Sequence, residues 1–340
     1  MRLKFGVRLA GLAVAAMGLA LTADPAAAQD VVRHGLQRGA LGALKVTLPL
    51  VQQKYNLKYD LRTFNDSTTV ILAMEQKELE MGNLTAQHVV RAIDEGMSLV
   101  VVIGWGGGYN VLFGGKDFPL ARDDFAGLKK LVADRKAAGN KLKIGVPTGS
   151  QQHLKLTYLL KNNGIDSAKD VDILNIPFPN HIRSVDGKEV DMAMTIAPFA
   201  ALAVSTTGAK VFHHVYGKDA GQWEIGQAVR TDLVKQKPEL VQRIVSSHVD
   251  AMKMFVADVA KQVEFEQKET TFPKPVVEMI QKEFLRLTIK VTIDDIKLTA
   301  KQMFELGWAK KDHSAEVEKY VDLSFLAKAT GMSEQELKGF

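Results

Sequence analysis

The run Lys143-Ile-Gly-Val-Pro-Thr-Gly-Ser-Gln-Gln-His153 limits the chain to a small group of folds. A short apolar stretch (Leu142, Ile144, Val146) stops at Pro147. Thr148-Gly149-Ser150 then supplies a tight turn and a hydroxyl suited to cap a helix. The pattern that follows puts Leu156, Leu159 and Leu160 on one helical face and ends at Asn163-Gly164. A strand feeds a turn, and the turn feeds a helix whose free N–H groups sit at the strand's carboxyl end. Open α/β sheets bind ligands at such places, and a helix N-terminus favours an anion or an electronegative group. Taken alone, the segment is equally compatible with an ordinary capped corner.

The same idiom recurs along the chain. Val31–Leu36 reads as a first strand, ending at Gln37-Arg38-Gly39, with a helix over Gly42–Lys54 and a second strand at Tyr59–Phe64. Asn65 to Thr68 offer helix caps, Glu80–Leu84 precede a helix to about Glu95, and Leu99–Ile103 form a buried strand. Later come the Lys143–Pro147 strand, a helix over Gln151–Asn162, and a strand at Val171–Ile176. Strands alternating with helices of this length imply parallel βαβ units. Two passages are alike: Lys77-Glu-Leu-Glu-Met81 leads through a helix to Gly96, and Lys188-Glu-Val-Asp-Met192 leads through one to Gly208. They are read as equivalent parts of two similar lobes. From Thr231 the chain turns helical, with Pro238 starting a helix through Val241, Ile244, Val245, His248 and Met252. Residues 29–115 with 216–340 are expected to form one lobe and 116–215 the other, hinged near Gly115 and Tyr216.

Arg2, Lys4 and Arg8 precede an apolar run from Leu9 to Leu21, and Ala26-Ala-Ala28 offers a cleavage site. This is the pattern of a secretory signal peptide over residues 1–28, too short to span a bilayer, which takes roughly 20 residues. The expected location is the periplasm, reached through a Sec-type route. Of the formal +5, the leader holds three positive charges and one negative (Asp24), so the mature chain carries +3. Nucleic-acid binding calls for a clustered basic stripe instead, and is not expected. The absence of cysteine excludes disulfides, thiolate metal sites and cysteine nucleophiles.

Gly104-Trp-Gly-Gly-Gly-Tyr109 follows a strand but fails the dinucleotide spacing, and the apolar run after it predicts a strand or bend. These glycines would allow close backbone approach to a ligand, with Trp105 or Tyr109 as a wall, or would mark a bulge. Gly115-Lys116 lacks the rest of a phosphate-binding loop, and His213-His214 point to opposite strand faces, so one metal is not held by both. His88, His153 and His181 fall near helix starts and are read as surface or capping residues. Asp123-Asp124 and Asp294-Asp295 are read as helix-start charges. What remains is a set of turns at strand carboxyl ends, rich in hydroxyls, amides and small residues, with Arg38 as a counter-charge. Such turns capture a solute and do not convert it; neither an enzyme nor a resident cofactor or metal is expected.

The signal peptide, the two α/β halves and the run Lys143-Ile-Gly-Val-Pro-Thr-Gly-Ser, followed by Gly187-Lys-Glu-Val-Asp-Met192 and Ala197-Pro-Phe199, resemble the substrate-binding proteins of ABC importers. The resemblance is to the nitrate/sulfonate/taurine group with its thiamine-precursor-binding relatives. It implies a two-lobed, type II-like periplasmic binding protein, each lobe a mostly parallel sheet flanked by helices, with the ligand in the interlobe cleft. It further implies a monomer whose partners are a small-molecule ligand and a membrane permease with its ATPase. Carried over, the contacts are Ser67, Thr68, Asn83, Thr85, Thr148, Ser150, Gln151 and His153, joined by Thr195 and Phe199; Arg38 and Trp105 come from the residue reading. The chain departs from many members at Ala197, where an acidic residue would face a ligand ammonium. The leading expectation is capture of a small sulfonate- or nitrate-type anion. An aromatic or heterocyclic solute is the alternative, given Trp105, Tyr109, Phe178, Phe199 and Trp223. A periplasmic enzyme on the same fold is the reading from a different class.

Overall fold

The computed structural model describes residues 28–37, 42–217, 221–256 and 258–339; Arg38 and all but the last residue of the predicted leader lie outside them. The chain opens by alternating β1 (Asp30–Gln37), α1 (Gly42–Val51), β2 (Leu57–Phe64), α2 (Ser67–Glu75), β3 (Met81–Thr85), α3 (Ala86–Glu95) and β4 (Leu99–Gly107). It continues with β5 (Asn110–Gly114), α4 (Phe125–Ala137), β6 (Leu142–Val146), α5 (Gln151–Asn162), β7 (Val171–Asn175), α6 (His181–Asp186), β8 (Met192–Ile196), α7 (Ala197–Thr207) and β9 (Lys210–His214). It ends with β10 (Ile225–Arg230), α8 (Thr231–Gln236), α9 (Pro238–Val256), α10 (Val259–Glu269), α11 (Lys274–Met279), β11 (Arg286–Leu287), α12 (Ile293–Glu305), α13 (Ser324–Thr330) and α14 (Glu334–Leu337).

These strands form two sheets, ordered β11-β4-β10-β3-β1-β2 and β7-β6-β8-β5-β9. In the first, β1 pairs in parallel with β2 and β3; in the second, β6 does so with β7 and β8. The strands β5 and β10 run against both of their neighbours. Each is the first strand after the chain passes from one sheet to the other. A strand arriving that way enters at the carboxyl ends of its new neighbours and has to run back along them. The α/β architecture is the predicted one, but both sheets are mixed, because strand–helix alternation does not reveal which strand returns across. The chain first changes sheet between Gly107 and Asn110, ahead of Gly115, and again between His214 and Ile225.

The two similar passages take the same course. Lys77 and Lys188 both adopt left-handed backbone (φ 60° and 58°), each just before the strand, and Gly96 and Gly208 end the helices that follow (φ 69° and 71°). The glycine run serves the chain itself. A Cβ on Gly104 would lie 1.9 Å from the Lys290 carbonyl oxygen, one on Gly107 2.0 Å from that of Gln222. The close approach expected of a ligand is made by the chain's own 284–290 segment and by the second crossing.

The first sheet is covered by α2, α3, α9 and α12 around one apolar cluster, and the second has its own around Leu128, Ile144, Leu156 and Phe212. A third cluster joins the two: Leu36, Leu44 and Trp105 share it with Tyr109, Ile196 and Ala200, and with Phe255, Phe265 and Phe284. Helix α10 packs on α1, and α11 packs on α7. No described helix is long and apolar enough to cross a membrane.

Candidate ligand-binding site

Because β1, β3, β6 and β8 all end where a turn or helix begins, their carboxyl ends gather the residues singled out from the sequence. On the first sheet, Asn83 accepts from the Gln37 backbone N–H (2.6 Å) and donates to Ser67 Oγ (3.0 Å), while Ser67 Oγ donates to Gln37 Oε1 (2.8 Å). The ring closes on itself, so buried Asn83 and Ser67 act as supports that hold Gln37. Gln37, whose amide nitrogen lies outside the ring, is a residue the candidate set missed, although its turn was noted.

Thr68 and Thr85 both bond the ring of His88, at 3.2 Å to Nε2 and 2.8 Å to Nδ1. A neutral imidazole has one N–H and one acceptor nitrogen. One threonine hydroxyl therefore keeps its hydrogen and the other keeps its lone pairs. His88 is buried, not at the surface, and burial pulls its pKa to about 4, so neutral is its form near pH 7. His181 is likewise buried, with Nε2 bonded to the Ile176 carbonyl (2.8 Å). Packing inside the fold, against Thr68 and Thr85 for His88 and beside Ile176 for His181, turns both predicted surface or capping histidines into core residues.

On the second sheet, Ser150 spends its hydroxyl on the cap: it donates to the Pro147 carbonyl (2.6 Å) and accepts from the His153 N–H (3.2 Å). Thr148 is exposed, its N–H held by Asn175 (3.0 Å). His153 accepts from the Gly149 N–H (3.1 Å) and lies against Trp308, with ring centroids 4.9 Å apart. Phe199 stacks on Phe178 (6.3 Å) and meets Phe272 edge-on (6.4 Å). Two residues stand apart. Gln151 is 3 % exposed and Thr195 0 %, yet neither Gln151 amide atom nor the Thr195 hydroxyl has a hydrogen-bond partner among the described residues. A buried polar group without a partner costs about 1–3 kcal/mol.

The two edges touch where Gln87 Nε2 donates to the Gly149 carbonyl (2.7 Å). Beside it, Gln152 Nε2 donates to Asn110 Oδ1 (2.7 Å). Further along α5, buried Lys155 faces the carboxylates of Glu224 and Asp295; burial pulls its amine down and pushes both carboxyls up. Asp295 is more than a helix-start charge, since it accepts the N–H groups of Gln222 (2.9 Å) and Trp223 (2.8 Å). Tyr158 also reaches α12 through Glu305. Trp105 turns inward: its indole N–H donates to the Tyr109 hydroxyl (3.0 Å) and its ring stacks on Phe255 (5.8 Å). His213 and His214 part as expected, to Asp123 (2.6 Å) and the Gly108 carbonyl (3.0 Å). Among the described residues no group of three or more His, Asp or Glu side chains is placed to hold a metal ion.

Two mixed sheets flanked by helices, joined by two crossings and touching through Gln87 and Gly149, define a two-sheet α/β fold. The chain belongs to the NMT1-like family, which it matches over residues 51–265. It is similar in fold to the periplasmic aliphatic sulphonate binding protein SsuA from Escherichia coli, at 18 % identity and TM-score 0.70, covering 85 % of this chain and 91 % of that one. The alkanesulfonate-binding SsuA from Xanthomonas axonopodis pv. citri bound to MOPS gives 17 % and 0.70, over 88 % and 100 %. The periplasmic nitrate-binding protein NrtA from Synechocystis PCC 6803 gives 12 % and 0.68, over 91 % of each. A comparison with curated proteins finds no match.

Proposed function

We propose that this protein is the solute-capturing component of an ABC importer, working in the periplasm as a monomer after loss of its leader. A small solute is held between the two strand edges and passed to a membrane permease with its ATPase. The observation that carries this reading is the set of buried, unpartnered groups on the second edge, Gln151 and Thr195, with the pre-built Gln37 support on the first. Groups that cost free energy when empty are the ones a solute satisfies. The reading takes residues 29–115 with 216–340 as one lobe and 116–215 as the other; sheet membership supports that division except at β5, which belongs to the second sheet. The sulfonate- and nitrate-binding proteins similar in fold favour a small anion, while stacked Phe178 and Phe199 favour a planar solute. The enzyme reading keeps fold-level support from the desulfurization enzyme DszB, at 15 % identity and TM-score 0.64.

Thermal-shift screening of the mature protein against sulfonates, oxyanions, carboxylates and heterocycles is expected to show one class stabilising it by mass action. Gln151→Ala is expected to weaken that solute by about 1–3 kcal/mol. If no class stabilises the protein and one of the compounds is chemically converted, capture gives way to the enzyme reading.

A further inference from the structure

Helix α5 follows a strand of the second sheet and is anchored on both. Leu156 and Leu160 are buried in the second sheet's apolar cluster, but Leu154 is buried in the first sheet's, with Trp223, Ala300 and Met303. Next to Leu154 stands Lys155, 4 % exposed, and its charge meets two carboxylates from outside its own sheet. One is Asp295 of α12, the helix that covers the first sheet. The other is Glu224, fully inside the fold on the second crossing. The amine and Asp295 flank Gly221: a Cβ there would stand 3.3 Å from Lys155 Nζ and 3.6 Å from Asp295 Oδ1. Glu224 in turn ties the two crossings together. Its Oε2 accepts the Tyr109 N–H (2.8 Å), and its own N–H donates to the Gly106 carbonyl (3.0 Å). Gln151, the unpartnered amide of the second edge, lies four residues before Lys155 on the same face of α5, about 6 Å along the axis.

We infer that Lys155 is a positioning residue: facing Glu224 and Asp295, it latches α5 to the first sheet's unit and so sets where Gln151 stands for an incoming solute. The physical reason is the cost of a stranded charge. A buried ion loses its water, and an opposite charge has to make good that loss. If the sheets swing apart about the crossings, Lys155 travels with α5 while Asp295 stays with α12. With all three groups present, the joined arrangement satisfies them. With the amine gone, only water satisfies the carboxylates, and water reaches them when the sheets part. Burial pushes the Glu224 carboxyl up to about 7, against the pull of the Tyr109 N–H and of Lys155, so the amine and the carboxylate act on each other where water is scarce. The other polar contacts of α5 with α12 differ in kind. Tyr158 and Lys161 meet Glu305 in an exposed place, where an ion pair contributes little.

The inference rests on the capture reading for its purpose, but its first test needs no solute. Because the chain has no cysteine, spin labels can be attached at Leu72→Cys on α2 and Lys130→Cys on α4, two exposed positions on helices of different sheets. Electron–electron distance measurements on the mature protein without solute are expected to show a joined population in the otherwise wild-type chain. Lys155→Met, which keeps the reach of the side chain and drops its charge, is expected to add a population several ångströms longer. Combining Lys155→Met with Glu224→Gln and Asp295→Asn leaves no charge stranded, and is expected to restore the wild-type distance. That return tells a latch from a folding defect, because three buried changes would compound damage. If Lys155→Met does not fold, Glu224→Gln with Asp295→Asn strands the amine instead and is expected to lengthen the distance, with the triple variant again as rescue. Titration with ethanesulfonate, nitrate and pyrimidine is expected to show whichever binds the wild type losing about tenfold in Lys155→Met and recovering in the triple variant. No joined population in the wild type, an unchanged distance in Lys155→Met, or a long distance in the triple variant overturns the inference and leaves capture standing. Weaker binding at an unchanged distance overturns it too, since Lys155 would then act on the solute itself. The expected distances in a wild type that binds no probe and no class in the thermal-shift screen count against capture and leave the latch.

Discussion

At the first sheet's edge, Gln37, Ser67 and Asn83 bond one another; at the second, Gln151 and Thr195 are as deeply buried and bond nothing described. The two edges use the same residue types on equivalent strand ends, so the difference does not lie in composition. It lies in where the next strand or helix brings a partner. β1, α2 and β3 converge on the first edge, each with a polar side chain to offer. On the second, the turn before α5 consumes Ser150 in its own cap, and the end of β8 is surrounded by alanines and Ile196. One edge is therefore pre-organised and the other has unmet hydrogen-bonding capacity; on the capture reading proposed above, the second is the edge whose hydrogen bonding would change on binding.

The largest test of that contrast is acid. Burial pulls four histidines far down: His34, His88 and His248 on the first sheet and the helices on it, to about 3, 4 and 4, and His181 on the second, to about 4, where burial lowers His153 and His214 as well. All four are depressed from about 6.5, so the folded protein takes up fewer protons than the unfolded chain as pH falls. Their stabilisation is complete above about pH 6.5 and is lost as pH falls toward 3–4. On the order of 1–2 kcal/mol per histidine goes by pH 5. Hydrogen exchange at pH 5 is expected to open β1 and β3 before β6 and β8; the reverse order would show that the histidines do not govern the first unit.

Asn83→Ala comes next. It strips the Gln37 N–H of its acceptor and Ser67 of its donor in a fully buried place, and is expected to cost about 2–3 kcal/mol in urea unfolding. A loss below about half a kcal/mol would mean the ring is not a support. Gln87→Ala follows, at about 1 kcal/mol, because it removes the one 2.7 Å bond that fastens α3 to the turn before α5. Small-angle scattering is expected to show a larger radius of gyration for the ligand-free variant, and an unchanged radius would assign the joining of the sheets to the shared apolar cluster alone.

Much of this was legible in the residues, and for definable reasons. Strand–helix alternation, the Ser150 cap and the two Lys-Glu-x-acid-Met passages are local patterns, and the chain obeys them, down to left-handed Lys77 and Lys188. Thr68 and Thr85 were found as edge residues, but their bond to His88 was not, because a histidine near a helix start shows no sign of which way its ring is buried. Glu266 was invisible. In the run Val259–Glu269 the acids Glu264, Glu266 and Glu269 look alike, and only the packing of α10 on α1 sets Glu266 against the Ala43 N–H of that helix's first turn. The glycines of 104–108 were conspicuous and their need for close approach was correct in kind. The partner was the chain itself, at a sequence distance that no local pattern reports.

The smallest effect is the most telling, since its sign differs between the edges. Thr195→Val replaces a buried hydroxyl that has no partner by a methyl of nearly the same shape. On the first edge the loss of a polar atom destabilises, as for Asn83. Here it removes a desolvation cost, and the ligand-free protein is expected to gain about 0.5–1 kcal/mol. The same change takes away a hydrogen bond available to the solute, so affinity is expected to fall about tenfold, close to 1.4 kcal/mol. Stability and affinity then move in opposite directions in one variant, a result that neither a generally damaged nor a generally improved protein gives. If Thr195→Val lowers the melting temperature of the ligand-free protein, its hydroxyl is bonded in the folded state and the second edge is as fully wired as the first.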